Sequence, residues 1–294
     1  MRKIVSSQNI IGSVLVLLAG VFWGTSGTAQ AFAPLGASPF TVGTIRIAVG
    51  GGILFLLLLL RRGISWIKGP WLPKHILPAA LGMAGFQFFF FAAVKLTGVS
   101  VGTMVAIGSA PLWAGLLGYF VYKEPPEKMW YFSTILAVVG CFFLSMEGVS
   151  FQAEASFLGI FMALGAAFSY AVCGIGLKGL RLSHGPVESA AITLCGGALF
   201  LIPLLFLFNI SWLSEWKGVG VALHLGIVAT ALPYVLFSIG IAWIPVAKVY
   251  TLSLTEPLTA CLLGVFLLGE RLSMLSFFGI FLIFIGLALL SRKK

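Results

Sequence analysis

Apolar runs of about twenty residues follow one another along this chain, separated by short connections rich in charged or turn-forming residues. A run of that length, folded as an α-helix, can cross the hydrocarbon core of a bilayer. Of the 294 residues, 60% are hydrophobic and 9% are charged, whereas soluble domains carry roughly 25% charged residues. The chain lacks the polar surface of a soluble protein, and we expect an all-α polytopic membrane protein.

The pattern predicts ten transmembrane helices, which we number as spans one to ten. The connections between them are too short to hold a soluble domain. We expect the spans near 10–32, 39–60, 76–95, 101–122, 129–146, 156–177, 187–208, 218–241, 247–268 and 273–291.

The distribution of basic residues predicts how the chain is oriented. If the N-terminus is cytoplasmic, 14 of the 18 Lys and Arg residues fall in cytoplasmic segments, three fall outside, and Arg46 lies within span two. Such an excess is typical of cytoplasmic loops. We expect a multi-pass protein of the cell membrane with both termini in the cytoplasm. The net charge of +10 is spread over short loops, so it does not indicate a nucleic-acid partner.

The two halves of the sequence, 1–147 and 148–294, correspond to one another. Gly12 and Pro39 recur 147 residues later as Gly159 and Pro186. Further along the offset is 146, as in the pairs Pro111/Pro257, Gly118/Gly264, Glu124/Glu270, Gly140/Gly286 and Ser145/Ser291. Each half has five predicted spans, so the second half enters the membrane from the opposite side. This is an inverted-topology repeat, an architecture common among secondary transporters that work by alternating access.

One motif occurs once in each half and carries a family resemblance. "PLWAGLLGYFVYKE" (111–124) and "PLTACLLGVFLLGE" (257–270) share the pattern P-L-x-A-x-L-L-G-x-x-x-x-x-E. Together with "FWG" in span one and Arg46 in span two, this pattern resembles the EamA repeat of the drug/metabolite transporter superfamily. The resemblance implies ten helices in two EamA repeats and transport of small metabolites, including amino acids, without naming the substrate.

The sequence also excludes several functions. It has no GxxxxGK[ST] phosphate loop and no aspartate at all, which argues against an ATP-driven pump, Asp-rich diphosphate chemistry and a Ser-His-Asp triad. Three scattered histidines and four intramembrane cysteines without a CxxC motif predict neither a metal site nor a disulfide. We expect no enzymatic activity, no catalytic residue and no cofactor.

Glu256 is the most unusual residue of the sequence, because it lies near the middle of span nine beside Pro257. A proline removes a backbone hydrogen bond, so we expect the helix to be kinked or broken there. Irregular backbone at this depth needs a protein or cavity environment. Two interpretations follow: Glu256 lines a central cavity and contacts a substrate ammonium or a coupling proton, or it only satisfies groups that the kink exposes. Ala110 occupies the matching position of the first half.

Arg46 and His224 lie at similar depth in spans two and eight. An arginine there can bind a substrate carboxylate with its two-pronged guanidinium, or it can serve structure and gating. We interpret Arg46 as a gating or charge-pairing residue, with His224 as a candidate neighbour. Glu124 and Glu270 end spans four and nine, where capping or loop ion pairs are expected.

Five aromatic residues lie within spans that line the cavity of the resembled family: Trp23, Trp113, Tyr170, Tyr234 and Tyr250. Aromatic walls suit amphiphilic organic solutes through stacking and cation–π contacts; ordinary helix packing is the alternative. Gln87 adds an amide to span three. We expect these six residues and Glu256 to form the substrate site.

These observations predict a secondary-active transporter that exports small organic metabolites such as amino acids. A monomer is sufficient for this, with a small-molecule substrate and the lipid bilayer as partners. Efflux of cationic drugs is an alternative, since an anionic Glu256 among aromatic rings would suit a cation. A membrane scaffold without transport is the alternative from another class.

Overall fold

The structure of the protein, a computed structural model, describes residues 2–146, 157–269 and 273–291. The described part is helical and contains no strand. The helices of the first half are α1 (Arg2–Ala31), α2 (Pro39–Arg62), α3 (Pro73–Thr97), α4 (Val99–Tyr122) and α5 (Lys128–Ser145). The predicted boundary between the halves, after residue 147, lies outside the described residues.

The second half has more helical segments than spans, because spans eight and nine are divided. Span six is α6 (Phe157–Leu180) and span seven is α7 (Pro186–Leu205). Span eight consists of α8 (Trp216–Leu223), a π-helical segment (His224–Ala231) and α9 (Leu232–Trp243). Span nine consists of α10 (Val246–Leu252) and α11 (Thr255–Leu268), and span ten is α12 (Met274–Ser291).

The predicted fold class is confirmed. Nine helical segments of the described chain are long and apolar enough to cross a membrane, and Lys128–Leu144 is a shorter apolar helix that supplies the tenth span. The largest difference from the predicted boundaries is at α1, which begins at Arg2 instead of near residue 10. Hydropathy marks where a span enters lipid, whereas the helix itself continues into the polar stretch before it.

The predicted break beside Pro257 is confirmed. Ser253 and Leu254 separate α10 from α11. Pro257 lies in the first turn of α11, where backbone N–H groups make no hydrogen bond within the helix, so a proline costs none there. The matching Pro111 lies inside the continuous helix α4. The two repeats therefore differ in backbone at this point, and the broken one carries the glutamate.

Helix packing follows the symmetry that the inverted repeat predicts. The repeat mates α2 and α7 pack on each other, and so do α5 and α12. α6 packs on α3 and α4, and its mate α1 packs correspondingly on α9 and α11. α1 and α6 are thus equivalent helices, each inserted between two helices of the other half, and the centre of the molecule lies between them.

Two faces can be defined from contacts between the connections. The connections 63–72, 123–127, 181–185 and 244–245 meet at the face that also holds Asn9 and Ser291; we call it the terminal face. The ends of α1 and α11 and the start of α8 meet at the other side, which we call the opposite face. The sequence predicts that the terminal face is cytoplasmic.

The contact between α5 and α12 depends on two glycines. A methyl group added at Gly140 would lie 2.6 Å from the carbonyl oxygen of Gly279, while one added at Gly52 of α2 meets nothing within 4 Å. We expect Gly140→Ala to lower the free energy of unfolding by about 1–3 kcal/mol through overpacking. Gly52→Ala, the same change at an open helical site, should be neutral or slightly stabilising. Thermal unfolding of both purified variants in detergent measures the difference, and equal melting temperatures would contradict it.

Candidate functional site

Five buried aromatic rings from four helices form a cluster at the centre of the molecule. Its members, which we call the aromatic cluster, are Trp23 of α1, Tyr170 of α6, Tyr234 and Phe237 of α9, and Tyr250 of α10; none is more than 6% exposed. The ring centroid of Trp23 lies 5.3 Å from that of Tyr234 and 5.2 Å from that of Phe237. Tyr170 and Tyr250 are 4.6 Å apart. Contacts at these distances fix the rings relative to one another.

The repeat explains why two of these rings meet. Trp23 and Tyr170 are repeat mates on the equivalent helices α1 and α6, and their ring centroids are 6.4 Å apart. The hydroxyl of Tyr250 donates to the carbonyl of Tyr170. The hydroxyl of Tyr234 donates to the sulfur of Met83 at 3.7 Å. Residues of both halves therefore hold the cluster in place.

Glu256 lies against α1, beside the helical turn that carries Trp23. A methyl group added at Gly24 would lie 2.8 Å from the carbonyl oxygen of Glu256, and one added at Gly20 would lie 3.2 Å from its amide nitrogen. The first turn of α11 can approach α1 this closely because both residues of α1 lack a side chain. The half-buried residue Glu256 thereby packs against the same part of α1 that contributes Trp23 to the aromatic cluster.

Arg46 and Glu256 act on each other electrostatically across the centre of the molecule. Arg46 also acts on Tyr234, and Glu256 acts on both Tyr170 and Tyr234. No direct ion pair within 4.0 Å joins these two described side chains. A guanidinium and a carboxyl group therefore lie within electrostatic range of each other and of Tyr234, without a direct ion pair.

Several buried polar atoms on the elements that carry Trp23, Arg46 and His224 have no hydrogen-bond partner among the described residues. They come from three elements: Trp23 Nε1 and Ser26 Oγ of α1, Thr44 Oγ1 and Arg46 Nε of α2, and Thr230 Oγ1 of the π-helical segment. A buried polar group without a partner costs about 1–3 kcal/mol. Such atoms can bind the polar groups of a solute that enters the site.

His224 is placed at the edge of a cavity rather than in the aromatic cluster. Its Nε2 lies 3.0 Å from the hydroxyl of Thr25 in α1. Both residues line a cavity of about 730 Å³ at the opposite face, together with Thr28, Ala31, Lys217 and Leu267, among others. His224 also begins the π-helical segment; such segments often occur at functional sites.

Side-chain contacts join several helices at the terminal face. Lys178 of α6 forms an ion pair with Glu124, so the predicted ion pair of Glu124 is confirmed. Glu270, the repeat mate of Glu124 for which the same role is expected, lies outside the described residues. Trp130 donates its indole N–H to the Ala247 carbonyl at 3.0 Å. A second cavity of about 470 Å³ opens on this face, and Trp130 is among its lining residues.

Two predicted site residues lie away from the aromatic cluster. Trp113 of α4 packs edge-on against Phe168 of α6, with ring centroids 5.2 Å apart. Gln87 of α3 is buried and donates its amide N–H to the Gly43 carbonyl of α2 at 2.7 Å. The structure thus gives Trp113 and Gln87 packing and helix-linking contacts, while it brings Trp23, Tyr170, Tyr234 and Tyr250 together.

Sequence reasoning missed Phe237 and the hydroxyl groups of Ser26, Thr44 and Thr230. A signal for Phe237 was present, because it follows Tyr234 by three residues and so shares its helix face. Ser26 follows Trp23 at the same spacing. The two threonines carry no comparable signal, since lone threonines are ordinary in membrane helices.

The arrangement suits reversible binding of a small solute with charged and apolar parts. Arg46 can bind an anionic group, Glu256 a cationic group, and the rings an apolar part. No cluster of three or more potential metal ligands occurs in the part of the chain that the structure describes.

Comparison with known proteins gives matches over nearly the whole chain. The sequence profile of the EamA-like transporter family matches twice, at residues 10–146 and 157–292. The "Uncharacterized transporter YwfM" of Bacillus subtilis (strain 168) is 41% identical over 96% of this chain and 94% of its own length. The "Threonine/homoserine exporter RhtA" of Escherichia coli (strain K12) is 29% identical, covering 88% of this chain and 83% of its own.

A solved crystal structure shares the fold. It superposes with a TM-score of 0.82 at 21% sequence identity and covers 95% of each chain. The two profile matches correspond to the two sets of five spans, so the ten helices form two repeats of one family.

Proposed function

We propose that this chain, which belongs to the EamA-like transporter family, exports small organic metabolites by alternating access, with amino acids as the leading class. The relatives are named transporters, and the chain is a multi-pass membrane protein. The substrate, the direction and the site residues are our inference. We also infer that the two halves, 1–147 and 148–294, are the units that exchange conformations.

One observation supports the proposal most: Glu256 packs against the turn of α1 that carries Trp23, and Arg46 lies within electrostatic range of Glu256 without forming an ion pair with it. In an amino acid the carboxylate and the ammonium are joined through one carbon, so a site for it needs an anion-binding and a cation-binding group close together. Arg46 would bind the carboxylate and Glu256 the ammonium. Trp23 Nε1, Ser26 Oγ and Thr230 Oγ1 are polar atoms available for a polar side chain.

The substrate class is narrowed by one relative. RhtA is named a threonine/homoserine exporter, and both of these amino acids carry a hydroxyl group. We propose hydroxylated amino acids as the first substrates to test. The unpaired hydroxyl groups of Thr44 and Thr230 would match such a substrate. If a proton is coupled to transport, Glu256 is the residue through which we expect it to act.

The orientation belongs to the same proposal. With the terminal face in the cytoplasm, the cavity of about 730 Å³ opens outside the cell. We infer that the described structure is nearer to the outward-open state of an exporter, because this cavity is larger than the one of about 470 Å³ on the terminal face, where Lys178 and Trp130 make contacts between helices.

Export from cells tests the proposal and its main alternative together. Cells that lack their own amino-acid exporters and drug pumps would produce the protein and be fed threonine-containing dipeptides. We expect threonine to accumulate outside faster than in cells with an empty vector. Resistance to toxic organic cations without threonine export would favour the alternative, cationic drug efflux, for which Glu256 among aromatic rings is the supporting observation.

A bulky residue in the site separates transport from a scaffold role. We expect Glu256→Trp to abolish export while the protein still reaches the membrane, because the ring would fill the space beside α1. The matched control is Glu215→Trp, at an exposed position before α8. If the Glu256→Trp protein keeps its cellular effect, the function does not pass through the site.

The unpaired indole N–H gives a finer test. We expect Trp23→Phe to keep the ring packing but to raise the half-saturation concentration of transport roughly three- to tenfold, the value of one neutral hydrogen bond. Trp113→Phe, which changes a ring outside the aromatic cluster, should leave it unchanged. Equal effects of the two substitutions in transport assays would contradict the assignment of Trp23.

A further inference from the structure

Glu124, at the end of α4, holds three parts of the chain together at the terminal face. Its Oε1 accepts from Lys178 Nζ of α6, and its Oε2 accepts from the backbone N–H of Val246 at 3.0 Å. Lys178 Nζ also donates to the carbonyl of Ile244 at 3.1 Å and lies 5.5 Å from the ring centroid of Tyr122. We call Glu124, Lys178 and the link 244–246 the lock.

The lock is shielded from solvent, unlike the Arg62–Glu188 ion pair, which also joins the two halves on this face. The side chains of Lys178 and Glu124 are 10% and 24% exposed, whereas that of Arg62 in the Arg62–Glu188 pair is 61% exposed. Solvent screens an exposed pair, but loss of one partner from a shielded pair leaves a charge without compensation. Removing one partner of the Lys178–Glu124 pair should therefore affect the conformation of the protein more than removing one partner of the Arg62–Glu188 pair.

Two residues of the lock lie on helices that also carry rings of the aromatic cluster, nearer to the terminal face. Lys178 follows Ala171, next to Tyr170, by two helical turns on the same face of α6. Val246 precedes Tyr250 by one turn of α10. The lock thus ties together α4, α6 and the start of α10, and a path from the aromatic cluster to the terminal face requires these helices to separate.

The repeat shows that the lysine of the lock is present in one half only. At the offset of 147 residues that relates Trp23 to Tyr170, the mate of Lys178 is Ala31. Ala31 lies at the opposite-face end of α1 and lines the cavity of about 730 Å³. Where the second half has a lysine, that lysine ties α6 to Glu124 and Ile244, and where the first half has an alanine, a cavity lies beside it.

We propose that Glu124 and Lys178 form the gate of the terminal face, and that this pair biases the chain toward the state open to the opposite face. The pair must break once in each transport cycle. A ligand or substitution that removes it moves the two-state equilibrium toward the state open to the terminal face. The inference rests on the proposed alternating access.

Cysteine accessibility tests the gate without any substrate. In a background with the four native cysteines replaced, one reporter is Ala171→Cys, which is fully buried above the lock. The other is Ala31→Cys, exposed at the opposite cavity. Each reporter would be combined with Lys178→Met, with Glu124→Gln or with the control Arg62→Gln. The purified proteins in detergent would then be labelled with a water-soluble maleimide, which reaches both faces.

We expect Lys178→Met to increase the labelling rate at residue 171 about tenfold and to lower that at residue 31, a shift within the usual range of allosteric coupling. Glu124→Gln should act in the same direction, since it keeps an acceptor for the Val246 N–H but loses the charge. Arg62→Gln should change neither rate. If Lys178→Met fails to fold, Glu124→Gln decides.

Unchanged labelling at residue 171 in folded Glu124→Gln protein would overturn the gate, and so would increased labelling at both reporters, which indicates general loosening. Transport by the wild-type protein is measured separately. If the labelling rates contradict the gate, the proposed transport function is unaffected. If the labelling rates support the gate but no amino acid is transported, only the proposed substrate is wrong.

Discussion

Glu256→Gln should raise the half-saturation concentration for a transported amino acid roughly 10- to 100-fold, the value of a charge-assisted hydrogen bond. The carboxylate lies beside α1 and acts electrostatically on Arg46 and the buried tyrosines. Glutamine keeps the size of the side chain and one acceptor but removes the charge that would hold an ammonium group.

A change of substrate shows whether the lost interaction is with the ammonium. Wild-type protein should transport threonine much better than N-acetylthreonine, which has no ammonium, and Glu256→Gln should lose most of this preference. The control is Glu215→Gln, at an exposed carboxylate before α8. A Glu256→Gln variant that keeps the wild-type preference would remove this residue from the site.

Arg46→Gln should have an effect of similar size, roughly 10- to 100-fold on the half-saturation concentration, through the carboxylate of the substrate. Its Nε is buried without a partner among the described residues, so the guanidinium has donors available for a ligand. Arg46→Lys keeps the charge but cannot form two parallel hydrogen bonds. We expect it to recover only part of the loss.

The matching substrate here is threonine amide, which lacks the carboxylate. Arg46→Gln should reduce the preference for threonine over its amide, and Glu256→Gln should not. If Arg46 only gates or stabilises the fold, Arg46→Gln will reduce transport of threonine and of threonine amide equally. Because each single variant leaves a membrane-buried charge uncompensated, the double variant Arg46→Gln with Glu256→Gln should be more stable than the sum of the single effects predicts.

The sequence predicted the fold class through features that depend on the bilayer and on symmetry. Apolar runs of fixed length determine the spans, and the recurrence of Pro111 and Pro257 within the same motif indicates the repeat. The break at Glu256 was predictable because proline has a local effect on the backbone. The π-helical segment at His224 was missed, although Gly226 lies within it and Pro233, which cannot donate a backbone hydrogen bond, follows it by two residues.

The site could be predicted only in part, because helices that are apolar all round do not show which side faces the interior. Trp23 and Trp113 are both tryptophans within predicted spans, yet one lies in the aromatic cluster and the other packs on Phe168. Rotation about the helix axis decides between them, and it depends on neighbours distant in sequence. The surroundings of Lys178 could not be predicted for the same reason. In the sequence it is a basic residue near a connection, whereas in the fold it is shielded from solvent and paired with Glu124.

Solute counterflow tests the central claim most directly. Liposomes holding the purified protein would be loaded with unlabelled threonine and diluted into labelled threonine, with empty-loaded and protein-free liposomes as controls. A carrier with one site exposed alternately to each side accumulates the label transiently above its equilibrium level, and this needs no assumption about an energy source. We predict such an overshoot, reduced in Glu256→Gln. Folded protein that gives no overshoot with threonine, homoserine or any other amino acid would contradict the account.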